Sequence, residues 1–202
     1  MTRDGSARQR LLAAAVEYVA THGVGDLSLR QLAAGIGTSH RMLLYHFGSR
    51  EGLLQAVVHE VEQRQRQALA GLWEEASRSG VDPATVTWQF WRRLSDPALW
   101  PLERLFFELY GRSLAGGGGE ADLVTAWLEP LTALAEWAGA PPERAAARAR
   151  LGLAVVRGLL LDLLATGDRA GADQAMAEFI TAFAADARPW ADGDGDVLPA
   201  SR

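Results

Sequence analysis

Apolar positions in this chain recur at intervals of three and four residues almost from end to end. No stretch sustains the strict alternation of a half-buried strand for long, so the pattern predicts an all-α protein. Leu11, Leu12, Ala15, Val16 and Val19 form one stripe over residues 7–22, and Leu29, Leu32, Ala33 and Ile36 a shorter one over 28–35. A third, short helix is expected from Ser39 to Phe47 and a long one from Arg50 to Ser77, with Gly48 and Ser49 breaking and recapping the chain between them. Ser6 followed by Gln9, and Ser28 followed by Gln31, fit the capping box, in which a hydroxyl accepts from the first turn and the amide side chain reaches back. Asp82-Pro83, Asp96-Pro97 and Pro141-Pro142 signal further helix starts; GGGG at 116–119 reads as a flexible break and Pro130 as a kink or interruption. Helices are expected near 83–95, 101–115, 121–138, 142–166 and 172–187, followed by a mobile tail at 189–202.

The long helix changes character along its length. Leu53, Leu54, Val57, Val58 and Val61 make one apolar face and Leu69, Leu72, Trp73 and Ala76 another, with EQRQRQ at 62–67 between them. A helix polar all round usually bridges two bodies. The domain junction is therefore expected on this helix, dividing the chain into residues 1–49, residues 50–188 and the tail at 189–202.

Composition removes several classes of function. A chain of 202 residues with 49% apolar content can bury one good-sized core, or one such core plus a small appended domain. It has no cysteine, which excludes disulfides and thiolate metal sites, and its start, MTRDGSARQR, lacks the apolar run of a secretory signal, so a cytoplasmic location is expected. The most hydrophobic run, LGLAVVRGLLLDLLA at 151–165, is shorter than the roughly 20 residues of a membrane span and carries Arg157 and Asp162. It reads as buried helix, with no membrane partner. There is no serine nucleophile elbow and no HExxH, GGGG is not followed by the Lys-Ser/Thr of a phosphate loop, and the four histidines show no ligand spacing with acids. Neither catalysis nor a cofactor or metal is expected.

Charge is unevenly placed. In residues 1–50 six arginines stand against three acids, giving +3, so the remainder carries −8 of the net −5. Two short helices joined by a glycine-containing turn, with a helix in front to cover their apolar faces, make a helix-turn-helix arrangement, whose second helix enters the DNA major groove. Leu32, Ile36, Leu43 and Phe47 can close its small core, leaving Ser39, His40, Arg41, Tyr45 and His46 on the other face. Arginine can donate a bidentate pair to guanine, and Tyr, Ser and a helix N-terminus can donate to phosphate oxygens. His46 could equally cap its helix.

The segment SLRQLAAGIGTSHRMLLYHFGSREGLLQA, residues 28–56, resembles the N-terminal domain of the TetR family of transcriptional regulators. Gly37, His46, Phe47, Arg50 and Leu53 fall on matching positions, while Leu44 stands where the family has a tyrosine and Arg50 where it usually has a lysine. The resemblance implies a three-helix DNA-binding domain joined by a long helix to a larger helical domain that binds a ligand and dimerises. It also implies a homodimeric, ligand-responsive regulator, most simply a repressor of a palindromic double-stranded DNA operator. The candidate DNA contacts are Arg30, Thr38, Ser39, His40, Arg41, Tyr45, His46 and Arg50.

The middle of the chain holds most of the large aromatics. A cavity for a small, largely apolar or aromatic effector is expected at Trp88, Trp91, Phe107, Tyr110 and Trp127, with Glu103 as polar anchor, conceivably for a cation; the same residues could equally be ordinary core. Arg104, Glu108 and Arg112, spaced i, i+4, are expected to form an ion-paired outer face. Val155, Leu159 and Leu163 on one helix, with Met176, Phe179, Ile180 and Phe183 on the next, are the candidate dimer interface, the alternative being an intrachain core. A helical interaction module without sequence-specific DNA binding is the competing function; the donor face at Arg41, Tyr45 and Arg50 argues against it.

Overall fold

Polar caps set where many of the helices begin. Ser28 Oγ accepts from the Gln31 amide (3.3 Å) while Gln31 Oε1 accepts from the Ser28 amide (2.9 Å), completing the expected capping box. Ser39, Ser49, Asp82 and Asp96 accept from the amides of Met42, Gly52, Thr85 and Ala98. The computed structural model describes residues 3–25, 27–116 and 122–185. Among these the chain forms α1 (Arg3–His22), α2 (Leu29–Gly35), α3 (His40–Phe47), α4 (Arg50–Ser79), α5 (Pro83–Leu94), α6 (Trp100–Gly116), α7 (Asp122–Trp137), α8 (Pro142–Thr166) and α9 (Arg169–Ala185), with a 3₁₀ turn at Pro97–Leu99 and no strand. The protein is all-α, and among the described residues no helix is long and apolar enough to cross a membrane.

Several boundaries differ from the sequence pattern. α1 already begins at Arg3, so Ser6 lies inside the helix instead of at its cap, and its hydroxyl accepts from Arg10 (3.3 Å). α7 runs unbroken past Pro130, since an internal proline removes one i→i−4 bond and the packing of α7 along α8 holds the rest. α9 starts three residues early because Asp168 Oδ1 accepts from the Gly171 amide (2.9 Å). Residues 117–119 of the glycine run and the tail at 189–202 lie outside the described residues.

The apolar stripes close two cores. The first gathers Leu12, Ala15, Val16 and Val19 of α1, Leu32 and Ala33 of α2, Leu43 and Phe47 of α3 and the Leu53 to Val61 face of α4. It is completed from far along the chain by Leu102, Leu105, Phe106 and Leu109 of α6. The second joins Leu69 and Ala76 of α4 to Val86, Phe90, Trp91 and Leu94 of α5, Trp127 of α7, Leu153, Leu160 and Leu163 of α8 and Ala172 and Met176 of α9. Phe107 packs against both cores. An ion pair between Arg112 and Glu51 (3.7 Å) also links α6 to the start of α4. Arg112 pairs with Glu108 as expected, whereas the Arg104 guanidinium lies over the Trp100 ring.

Segment 62–67 is not the solvated bridge its composition suggests. Glu62 and Gln65 are buried where α4 passes between the two cores; Gln65 Oε1 accepts from Arg93 Nε (3.1 Å), and Glu62 is held by α7 and α8. A polar residue can replace an apolar one inside when its hydrogen bonds are supplied there.

Candidate functional site

The turn between α2 and α3 depends on two glycines. Gly37 has φ +70°, a conformation that disfavours side chains, and a Cβ at Gly35 would overlap the ring of Tyr18, on which the end of α2 rests. With the turn fixed, α3 directs Leu43 and Phe47 into the first core and leaves Arg41, Met42, Leu44 and Tyr45 exposed; Tyr45 is 70% accessible. Phe47 is covered from α1 by the Arg8 guanidinium, 5.0 Å from its ring centre. Of the candidate DNA contacts, Arg30, Ser39, Arg41 and Tyr45 are exposed, and Thr38, His40 and His46 are half-buried. The His46 ring meets those of Tyr45 and Phe47 edge-on. Arg50 is committed differently: its Nε donates 2.9 Å to the carbonyl of Leu27, pinning the start of α4 to the loop before α2.

A cavity of about 380 Å³ opens inside the second core, walled by α4 to α9. Trp91, Glu103, Phe107 and Trp127 line it as expected, but Trp88 and Tyr110 do not. Thr87, Phe90, Trp91 and Leu94 recur at i, i+3, i+4 and i+7 and form the inward stripe of α5. Trp88 sits about 100° round from Thr87 and packs half-buried at the edge of the second core. Tyr110 lies further along α6, stacked on Phe106 (5.7 Å) against the first core.

Three charged side chains of this cavity meet where α4, α6 and α8 converge. Glu62 Oε2 accepts from Trp127 Nε1 (2.5 Å) and Arg157 Nη2 (3.3 Å). Arg157 Nη2 also donates to the Leu123 carbonyl (2.6 Å), and its guanidinium lies 4.6 Å from the Phe106 ring centre and 5.9 Å from that of Tyr110. Burial raises the Glu62 carboxyl above its ordinary range, against the opposing pull of the Trp127 hydrogen bond and of Arg157, Arg66 and His59. Glu103 is 5% exposed, and its carboxyl is pushed up to about 8, first by burial and then by Glu62, with Arg157 opposing. Burial lowers Arg157, opposed by Glu62, Tyr110 and Glu103.

Sequence reasoning missed Glu62 and Arg157. A lone arginine inside the apolar run at 151–165 was the available signal, because arginine is seldom deeply buried without a partner. Glu62 gave no such signal among polar neighbours.

The candidate dimer residues divide. Leu163 and Met176 are fully buried within the protomer, and Phe179 and Ile180 are half-buried and line the cavity. Val155 and Leu159 are half-buried, and the Phe183 side chain lies outside the described residues. The largest apolar side chains mark the inner face of the bundle. The outer face of α8 instead exposes Leu151, Ala154, Gly158, Leu161 and Ala165 at alternating spacings of three and four.

Residues 11–57 match the family described as bacterial regulatory proteins, tetR family. The chain is 35% identical over 82 residues to the HTH-type transcriptional regulatory protein RaaS of Mycobacterium tuberculosis, a match spanning 41% of this chain and 36% of that relative. A TetR-family transcriptional regulator from Pectobacterium atrosepticum shares the fold with a TM-score of 0.66 at 22% identity, over 90% of this chain and 93% of that one. The multidrug binding protein EbrR, solved in complex with imidazole, aligns at 25% identity with a TM-score of 0.61, over 91% and 93% of the two chains.

Proposed function

We propose that this chain, a TetR-family transcriptional regulator by its N-terminal segment and its fold, acts as a homodimeric repressor released from its operator by a small, largely apolar or aromatic effector. Residues 1–49 address DNA, with Arg41 reading a base and Tyr45 and Ser39 donating to phosphates. Residues 50–188 bind the effector and dimerise, and the tail at 189–202 has no assigned part. Two copies pair through the outer face of α8, where Leu151 and Leu161 are each 52% exposed and Ala154 and Gly158 allow close approach. Pairing sets two α3 helices about one DNA turn, roughly 34 Å, apart.

The observation that carries this reading is the position of α6. Leu102, Leu105 and Leu109 belong to the first core, while Glu103 and Phe107 of the same helix line the cavity. An effector that favours one position of α6 over another would therefore shift the spacing of the α3 helices; one that binds both equally would shift nothing. A cavity of this size suits a small ligand, and the multidrug binding of EbrR supports the same assignment.

Fluorescence anisotropy against the DNA flanking this gene, beside a scrambled duplex and across a salt series, tests the reading. Tighter, salt-dependent binding to the flanking DNA is expected, falling roughly tenfold or more in Arg41→Ala with relaxed preference at one base position. Equal affinity of wild type and Arg41→Ala for both duplexes overturns the reading role.

A further inference from the structure

The polar groups around the cavity are nearly all spent inside the protein. Thr87 donates to the Pro83 carbonyl, Asp82 caps α5 through Thr85, and Trp91 donates to Asp173. Trp127 and Arg157 serve Glu62, and Arg148 is partnered within the chain. Glu103 is different: it is 5% exposed and lines the cavity, and among the described residues no side chain or amide donates to its carboxyl. At the convergence of α4, α6 and α8 there are thus two carboxyls and one guanidinium, and the guanidinium is held by Glu62. The walls beside Glu103 are aromatic, with Phe106, Phe107 and Trp127 all on the cavity, and the chain already lodges one cation here, Arg157 over Phe106.

We propose that the effector is a lipophilic monocation whose charge rests against the Glu103 carboxylate, one proton leaving Glu103 as it binds. The inference rests on the cavity being the effector site. A quaternary or tertiary ammonium on an aromatic body fits: it brings the missing positive charge, gives the aromatic walls a partner and, if quaternary, leaves no donor unsatisfied. An anion is disfavoured because Arg157 and Arg148 are already engaged.

Proton exchange follows from the neighbourhood. Glu103 faces Glu62 from α4 and Arg157 from α8, with Arg66 and His59 on α4 and Tyr110 on α6 behind them, and Asp82 and Arg148 elsewhere on the cavity wall. Burial and Glu62 keep the Glu103 carboxyl protonated up to about pH 8. A cation binds the ionised form, so below that pH it must displace the proton, and its affinity rises with pH until the carboxyl is already ionised.

Phenyltrimethylammonium and its neutral carbon isostere, tert-butylbenzene, separate charge from shape. Calorimetric titration of the full chain in two buffers of different ionisation enthalpy reads both affinity and protons released. The cation is expected to bind with release of about one proton at pH 7 and with about tenfold higher affinity at pH 7 than at pH 6. tert-Butylbenzene is expected to bind with no proton release and no pH dependence. Glu103→Gln should abolish the proton release and the cation's pH dependence, weaken cation binding tenfold or more, and leave tert-butylbenzene unaffected. If the isostere binds as well as the cation and neither releases a proton, the cation inference fails while the cavity remains an effector site. If neither compound binds, the effector site fails with it. Cation preference and proton release retained in Glu103→Gln would overturn the role of Glu103.

Discussion

The two cores of this molecule use similar amphipathic helices to opposite ends. Around α1 to α3 the interior is hydrocarbon, Leu43 and Val19 are wholly buried, and polar donors are turned outward on α3. In the second core, an interior of comparable apolar content stays hollow, and Glu62, Glu103 and Arg157 are turned inward. A closed apolar core holds one geometry and presents a fixed surface. A hollow core with buried charge has forfeited stability, since desolvating ions costs several kcal/mol each, and such sites are where binding function concentrates.

The strongest way to break this contrast is Arg157→Met. It leaves Glu62 with Trp127 as its hydrogen-bond donor and only the more distant charges of Arg66 and His59, and removes the positive charge that opposes Glu103, so unfolding in urea should show a loss of about 3–5 kcal/mol. A loss under 1 kcal/mol would mean that the charges are solvated through the cavity and that the two cores differ less than their burial indicates.

Glu103→Gln sharpens the comparison through pH. The folded carboxyl holds its proton to about pH 8 whereas the unfolded one releases it near the ordinary carboxylate value. The wild type therefore keeps its full share of stability at low pH and loses it as pH rises through that window. The glutamine variant has no such slope and should melt higher than wild type at pH 8.5, by at most about 5 kcal/mol in unfolding free energy, with the two converging at pH 4.5. Parallel melting curves across the range would place the Glu103 proton in water.

Tyr45→Phe is the smallest change and tests the outward face. The hydroxyl is exposed, so thermal stability should move by less than about 0.5 kcal/mol, while operator affinity measured by anisotropy should fall about threefold to tenfold through one lost phosphate contact. A comparable fall in stability would mean that Tyr45 belongs to the core's edge and not to its reading surface.

Much of the fold was legible because helix caps and apolar spacing are local. Ser28 with Gln31, Ser39 and the glycines at 37 and 48 place the short helices of the N-terminal region in the sequence itself, and Asp82 does the same for α5. The cavity was legible only in part. Trp91, Phe107, Trp127 and Glu103 could be grouped by type, but excluding Trp88 and Tyr110 required the rotation of α5 and the axial position of α6, which tertiary packing sets. Glu62 lay hidden for a related reason: its environment is made by Trp127 and Arg157, 65 and 95 positions away. Spacing on α8 and α9 could not by itself divide inner from outer leucines: Leu160 and Leu163 are buried within the protomer, whereas Leu151 and Leu161 are exposed. The Arg50 Nε bond to the Leu27 carbonyl, 23 residues earlier, likewise has no local signal.

The long reach of α6 also limits how portable the reading head is. The matched segment, residues 11–57, contains α2, α3 and the candidate DNA contacts, yet the floor beneath it is laid by Leu102, Leu105 and Leu109. Cut out and grafted to another body, those residues would carry an uncovered apolar flank on α1 and α4. A recombination event that transplanted this head would have to bring a helix from some fifty positions downstream, or supply a substitute for it. In this chain the helix-turn-helix segment and the hollow helical body behind it are joined less by a linker than by a shared wall, and they are constrained to change together.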